Sequence, residues 1–185
     1  TINETLDPYK ETGEMDLVDF GFRVLLNLTA DFSGIDRPLK SKKETETLLR
    51  LLKIFASGAT LHHSTRDHDE VKAEVREALK EFDRDFLTPS IERRKSIINQ
   101  NSNEDLPNDI LTVLLVNDDQ LNMPYDVLQR EIAFYLLAGA QTSIHSLVHA
   151  FHEIHTWLEN NPSRKDDITN DPIFVQKCFL ESTRL

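Results

Sequence analysis

The stretch from Pro124 to about Glu159 reads as one helix without an internal proline, and its length is the strongest constraint on the fold. It includes YLLAGAQTSIHSLVHAFHEIH at 135–155. About 36 residues at 1.5 Å per residue give a helix of about 54 Å, which is unusually long for a globular protein. Residues from Ile132 to Ala140 are apolar on every side, so we expect this segment to lie in the middle of the fold.

The composition predicts an all-α fold. Only 5 Gly and 7 Pro occur in 185 residues, so helix-breaking residues are sparse. The net charge of −11 argues against a nucleic-acid partner, because phosphate binding needs clustered Lys and Arg. The longest uncharged apolar run is too short for a membrane segment. The single cysteine, Cys178, allows no internal disulfide and fits a reducing cytoplasm.

The chain before the long helix divides into shorter segments. Residues 1–14 are polar and turn-rich and are expected to form a connector. Residues 15–30 repeat apolar side chains at helical spacing, which predicts the first helix. Gly34 and Pro38 are expected to break that helix.

Capping residues mark the next two helices. Ser41 and Glu44 have the spacing of a capping box. The following helix is expected to begin near Asp67 or Asp69, to carry one apolar stripe and to be kinked or interrupted at Pro89.

Four further local patterns predict structure along the rest of the chain. The charge run ERRK at 92–95 is expected to be a solvated face, since charged side chains usually stay in water. Pro107 is expected in the first turn of a short helix, and NDDQLN at 117–122 is expected to be a loop. Asp171-Pro172 has the pattern of an N-cap followed by a proline in the first turn of the last helix.

Gly139 is the least expected residue of the long helix. A glycine in a helix interior costs about 1 kcal/mol relative to alanine. With Ala138 and Ala140 it leaves a flat patch, for which a close crossing of two helices is the simplest explanation. Thr142 can bond back to the carbonyl of Ala138, which loosens the turn and creates a notch for a flat cofactor or a small polar ligand.

Two motifs at this point resemble one known family. AGAQTS at 138–143 resembles the oxygen-binding motif of the cytochrome P-450 monooxygenases, usually written A/G-G-x-D/E-T-T/S. Downstream, Glu181 and Arg184 in ESTRL have the E-x-x-R pattern of the same family. IERRK followed by DILTVLL is similar to the segment between two earlier helices of soluble bacterial members. The resemblance covers most of the chain and is best from about residue 67 onward.

The resemblance implies that residues 1–185 are a single helical region, the central part of the cytochrome P-450 fold. The chain opens with Thr1 and stops at Leu185 inside an apparent helix, so we expect it to be truncated at both ends. The cofactor would be haem, iron protoporphyrin IX. The complete enzyme would activate dioxygen and oxidise an apolar or amphipathic small molecule, with electrons from an external ferredoxin or reductase.

The resemblance also implies roles for individual residues. Ala138 and Gly139 would lie against the haem. Thr142 would assist proton delivery during dioxygen activation. Phe134 and Leu137, one turn earlier, would face the substrate.

The chain departs from the family pattern at two points. Gln141 stands where an acid usually precedes the threonine, and glutamine can hold a water molecule but cannot ionise. The iron ligand of the family is a cysteine thiolate in a glycine-containing loop. Cys178 lacks that surrounding pattern and is expected to be a small buried side chain, so the axial cysteine is not in this chain. Glu181 and Arg184 are expected to be structural.

Two alternatives remain open. His145, His149 and His152 follow an i, i+4, i+7 spacing, which places three imidazoles on one helix face and would suit a transition metal in a helical bundle. A semi-exposed polar face explains the same spacing. The other alternative is a non-catalytic helical module that binds a protein or an apolar ligand in the notch beside Gly139.

Overall fold

The structure, a computed structural model, describes residues 2–37, 41–100 and 106–184. In that part of the chain it contains helices and no strand, which confirms the all-α expectation. The α-helices are α1 (Ile2–Thr12), α2 (Leu17–Ser33), α3 (Lys42–Ala59), α4 (His68–Phe82), α5 (Thr88–Asn99), α6 (Ile110–Val116), α7 (Asp118–Leu121), α8 (Tyr125–Asn160), α9 (Lys165–Asn170) and α10 (Pro172–Ser182).

The chain divides into two compact units. Residues 26–140 form one of them, called the middle unit here. Residues 1–25 together with 141–185 form the other, called the terminal unit. Both α2 and α8 contribute residues to each unit.

The capping box expected at Ser41 is present, and the next helix begins near the expected position with Asp67 as its N-cap. Ser41 Oγ accepts a hydrogen bond from the Glu44 amide at 3.2 Å, and the Glu44 carboxylate accepts one from the Ser41 amide at 2.8 Å. Asp67 accepts from the amides of Asp69 and Glu70 at 3.0 and 2.9 Å. These bonds satisfy amides that have no partner within their own helix, and so fix where α3 and α4 begin.

The core of the middle unit is the packing of α3 on α4. The two helices approach closely at Gly58, where a β-carbon would lie 2.7 Å from Val75 Cγ2. Phe82 is fully buried, and its ring meets that of Phe55 edge to face with centroids 5.8 Å apart, an arrangement that aromatic pairs favour.

Pro89 does not end the helical path. A π-helical turn at Asp83–Leu87 joins α4 to α5, and the Thr88 amide donates to the carbonyl of Asp83, five residues earlier. Pro89 then lies in the first turn of α5, where its missing amide is not needed. The expected kink is therefore a π turn within a continuing helical segment.

Arg94 is the largest of the fully buried side chains. It donates to the carboxylates of Asp109 at 2.6 Å and Asp36 at 3.0 Å. It also donates to the Ser90 carbonyl at 2.9 Å and to Thr112 Oγ1 at 3.0 Å. The other three residues of the ERRK run are exposed. The expectation of a solvated face is thus wrong for Arg94, because two carboxylates compensate its burial.

The partners of Arg94 also fix the surrounding backbone. Burial opposes the charge on Arg94, but Asp109 and Asp36 outweigh it, so the pKa of Arg94 is raised. Asp109 is also the N-cap of α6 and accepts from the Thr112 amide at 2.8 Å. A β-carbon on Gly34 would lie 2.6 Å from Asp109 Oδ1, and Gly34 has a φ of +89°, so glycine is required there.

Smaller differences from the sequence expectations occur near α6. Pro107 precedes α6 and does not lie in its first turn. The loop expected at 117–122 contains the short helix α7, which ends at Asn122 with a φ of 43°. Asparagine tolerates this left-handed conformation. Pro38, expected to help end the first helix, lies outside the described residues.

The terminal unit contains α1 where the sequence predicted a connector. Tyr9 packs edge-on against Phe20 with ring centroids 6.1 Å apart, and its hydroxyl donates to Asp19 at 3.2 Å. A short helix gains most of its stability from such tertiary contacts, so the polar composition of 1–14 was misleading.

The second half of α8 forms the core of the terminal unit. Ile144 and Ala150 are buried there. Gly21 lies against Leu147, 3.5 Å from the position of its would-be β-carbon. The end of α8 packs on α10, where the Trp157 and Phe174 rings have centroids 5.9 Å apart. As expected, Asp171 caps α10 and Pro172 occupies its first turn.

The 36 residues of α8 confirm the expected long helix, but its burial is one-sided in the middle unit. Ile132, Leu136 and Ala140 have no exposed surface, whereas Phe134 and Tyr135 are 58% and 37% exposed. The expectation that this stretch is enclosed on every side is corrected accordingly. One of its faces is accessible in the part of the chain that the structure describes.

Replacing Arg94 with alanine should lower the free energy of unfolding by about 3–5 kcal/mol, because Asp109 would be left as a buried carboxylate without its charged partner. Denaturant unfolding of the variant measures this change. Lys95→Ala is the control, since that side chain belongs to the same charge run but is exposed, and its loss should change stability by less than about 1 kcal/mol. Equal effects of the two substitutions would show that the buried network does not hold the middle unit together.

Candidate functional site

Gly139 lies at a close crossing of α2 and α8 within the middle unit. A β-carbon at this position would lie 2.6 Å from Thr29 Cγ2 and 3.3 Å from Thr29 Oγ1. In the direction of its missing side chain, α8 therefore packs against α2, and Gly139 permits the two helices to approach. Gly139 itself is half-buried, and its expected position against a cofactor stays a prediction.

The neighbouring positions of α8 have a different environment. Ala138 is half-buried, and Phe134, one turn earlier, is 58% exposed. Ala138 and Phe134 thus lie one turn apart on a partly accessible stretch of α8. A haem against this stretch stays a prediction.

Phe134 and Leu137 line an apolar groove of about 470 Å³ between α3, α4 and α8, which we call the α3–α4–α8 groove. The resemblance implies that these two residues face a substrate. The structure brings them together in one groove. Four of the other apolar side chains that line it are Phe55, Val71, Val75 and Leu79. Small-molecule sites typically have about this size and this apolar character.

Three cationic side chains, Lys72, Arg76 and Arg130, also line the groove; we call them the basic rim. No acidic side chain lines it among the described residues. Sequence reasoning missed the basic rim. The available signal was the i, i+4 spacing of Lys72 and Arg76, directly beside the apolar stripe of α4, but Arg130 comes from a distant part of the chain.

Gln141 and Thr142 belong to the terminal unit. Gln141 is half-buried and Thr142 is exposed. Gln141 Nε2 lies 3.4 Å from His145 Nε2 on the next turn, and the direction of this long contact depends on the histidine tautomer. The Gln141 side chain thus has the His145 imidazole as its neighbour.

The histidine face of α8 does not form a metal centre in the structure. His145, His149 and His152 are all exposed. Among the described residues no group of three or more His, Cys, Asp or Glu side chains is placed to hold a metal ion. His149 Nδ1 instead lies 3.9 Å from a carboxylate oxygen of Glu153. Only the sequence spacing of these histidines supports the metal-binding alternative.

Glu181 and Arg184 pair with each other on α10 and the turn that follows it. Arg184 Nε donates to the Glu181 carboxylate at 3.0 Å, and this hydrogen bond lowers the pKa of Glu181. Both side chains are exposed, 59% for Glu181 and 68% for Arg184. An exposed pair contributes little to stability, so the pair by itself does not brace the terminal unit.

Cys178 lies half-buried in α10. Burial raises the pKa of its thiol, and the charge of Arg164 offsets only part of that effect. A metal-binding thiolate requires the opposite shift. Cys178 is thus a small side chain without thiolate character, but it is less buried than the sequence predicted.

No protein-family model matches the chain, and no curated protein sequence matches it significantly. Separately, none of the helices in the described part of the chain combines the length and apolar composition that a membrane span requires.

The substitution Gly139→Ala should lower the free energy of unfolding by about 1–2 kcal/mol. The clash with Thr29 costs about 1–3 kcal/mol, and the better helix propensity of alanine returns at most about 1 kcal/mol of this. The double variant Thr29→Ala, Gly139→Ala should recover most of the loss, which a double-mutant cycle measures. A stabilising effect of Gly139→Ala alone would show that the two helices do not cross here.

Proposed function

We propose that this chain forms the helical part of a haem-dependent monooxygenase related to the cytochromes P-450. The enzyme would insert one atom of dioxygen into an apolar or amphipathic small molecule. The observation that carries the proposal is the environment of Ala138. It lies next to Phe134 on the accessible side of an unusually long helix, and it belongs to a sequence motif of that family.

Three further features support the proposal. The motif AGAQTS lies in a helix of 36 residues, as the resemblance implies. The E-x-x-R residues follow in the implied order, Glu181 near the end of α10 and Arg184 in the turn after it. An apolar groove is present beside Phe134 and Leu137.

Each residue has a role in this proposal. When bound, the haem supplies the activation of dioxygen. Ala138 provides a flat contact surface for it, and Phe134 and Leu137 orient the apolar part of the substrate and exclude water. The Thr142 hydroxyl holds a proton near the reaction centre. Gln141 holds a water molecule without ionising.

The axial ligand and the electrons come from outside these residues. Cys178 is the only cysteine in the 185 residues, and its raised pKa disfavours the thiolate. The thiolate would therefore belong to a further segment of polypeptide. A separate ferredoxin or reductase would deliver the electrons, and the single cysteine is consistent with a cytoplasmic location.

The proposal is tested by the absorption spectrum of the reduced, carbon-monoxide-bound protein expressed from its whole gene. We expect a strongly red-shifted Soret band, which indicates a thiolate ligand. Cys178→Ala is the control and should leave that band unchanged. Absence of haem, or a spectrum typical of a histidine ligand, would falsify the proposal and leave the non-catalytic binding module in its place.

Gln141→Asp should increase the product formed per electron pair consumed, because an ionisable acid next to Thr142 restores the usual means of proton delivery. Thr142→Ala should decrease the same ratio. Gln120→Asp makes the identical chemical change on exposed α7 and controls for the added charge. The ratio is obtained by measuring product and reduced nicotinamide consumption together, and an unchanged ratio in Gln141→Asp would remove Gln141 from the mechanism.

A further inference from the structure

We propose that the α3–α4–α8 groove binds a monomeric amphipathic carboxylate: a hydrocarbon body inside the groove and one carboxylate on the basic rim. This inference rests on the proposed function in that it names the class of substrate. The binding itself requires no haem.

The apolar floor of the groove determines the body of the ligand. Phe134 is 58% exposed, and Val75 and Leu79 are half-buried along α4. Apolar side chains left accessible inside a concave surface favour an apolar occupant, because each covered methylene is removed from water. The volume of about 470 Å³ is sufficient for a small molecule.

The basic rim determines the charge of the ligand. Acidic residues outnumber basic ones by 32 to 21 in this chain, yet the three charged side chains that line the groove are all cationic. The groove therefore presents cationic side chains, and no acidic one among its described lining residues, to a ligand.

Arg76 is the residue best placed to hold the carboxylate. Lys72 pairs with Asp69 at 3.2 Å and Arg130 pairs with Asp126 at 2.9 Å. Arg76 is exposed and forms no ion pair with any of the described residues. Its planar guanidinium can bind a carboxylate through two parallel hydrogen bonds, a geometry that lysine cannot offer.

A monomeric ligand fits these observations better than a lipid surface. The cations surround a concave apolar groove, and the net charge of −11 would repel an anionic membrane. The matching ligand is therefore a medium-chain carboxylate that enters the groove from solution.

The test is isothermal calorimetry of the full chain with three ligands of equal tail length: dodecanoate, dodecanol and dodecyltrimethylammonium, each below its micelle concentration. Dodecanoate should bind about tenfold more tightly than dodecanol because of the charge-assisted hydrogen bonds, and the cation should bind most weakly. Decanoate should bind more weakly than dodecanoate by about fourfold per methylene removed. Equal affinities for all three head groups would overturn the proposal.

Variants of the basic rim give the second readout. Arg76→Gln should weaken dodecanoate about tenfold and leave dodecanol unchanged. Arg76→Lys should retain part of the preference. Lys80→Gln, an exposed cation one turn further along α4 and outside the groove, is the matched control and should change neither ligand. If Lys80→Gln has the same effect as Arg76→Gln, the attraction is general charge and the proposal fails.

Three outcomes separate this inference from the proposed function and from a membrane role. The calorimeter measures heat, so the titration gives the same information with or without haem. A thiolate-type spectrum without dodecanoate binding would overturn only this inference, and dodecanoate binding without haem would overturn only the proposed function. Co-sedimentation with phosphatidylglycerol vesicles without binding of the monomeric acid would identify a lipid surface as the partner and overturn the inference.

Discussion

The buried guanidinium of Arg94 fixes the arrangement of the middle unit. A charged group taken out of water is tolerated only where opposite charges and hydrogen-bond acceptors surround it. Asp36 follows α2, and Asp109 is the N-cap of α6. Because one side chain in the middle of α5 requires both carboxylates, the segment after α2 and the start of α6 are held against α5. The glycine at position 34 is a consequence, since Asp109 occupies the space that a β-carbon would need.

Local signals in the sequence were sufficient for the helices that begin with a cap or have a strong apolar period. The capping box at Ser41, the N-cap at Asp171 and the length of α8 depend on residues close together in the chain, so they could be read directly. Arg94 and α1 could not. The burial of Arg94 depends on carboxylates far away in sequence, and α1 depends on the contact of Tyr9 with Phe20. A prediction from local sequence patterns takes no account of partners that are distant in the sequence.

At the candidate site, too, the sequence alone does not predict which residues become neighbours, even within one helix. The sequence identifies a patch of small residues in α8, but it does not say which side of the patch another helix fills. Thr29 fills the side of Gly139, and Ala138 is left next to an accessible face. The motif resemblance and the close-crossing explanation are therefore compatible, because they apply to adjacent residues on different sides of one helix. The basic rim was missed because its third cation, Arg130, comes from a different helix.

The two proposals together determine how a substrate would lie. Its carboxylate would be held at Arg76 on α4, and its hydrocarbon body would extend along Phe134 and Leu137 toward Ala138 on α8. The carbon nearest the reaction centre would then be remote from the carboxylate. Binding energy gained at the charged end would fix the orientation of the apolar end, where the interaction with the substrate is otherwise non-directional. A groove of uniform apolar character could not define the position of oxidation, whereas one cation at its edge is sufficient to do so.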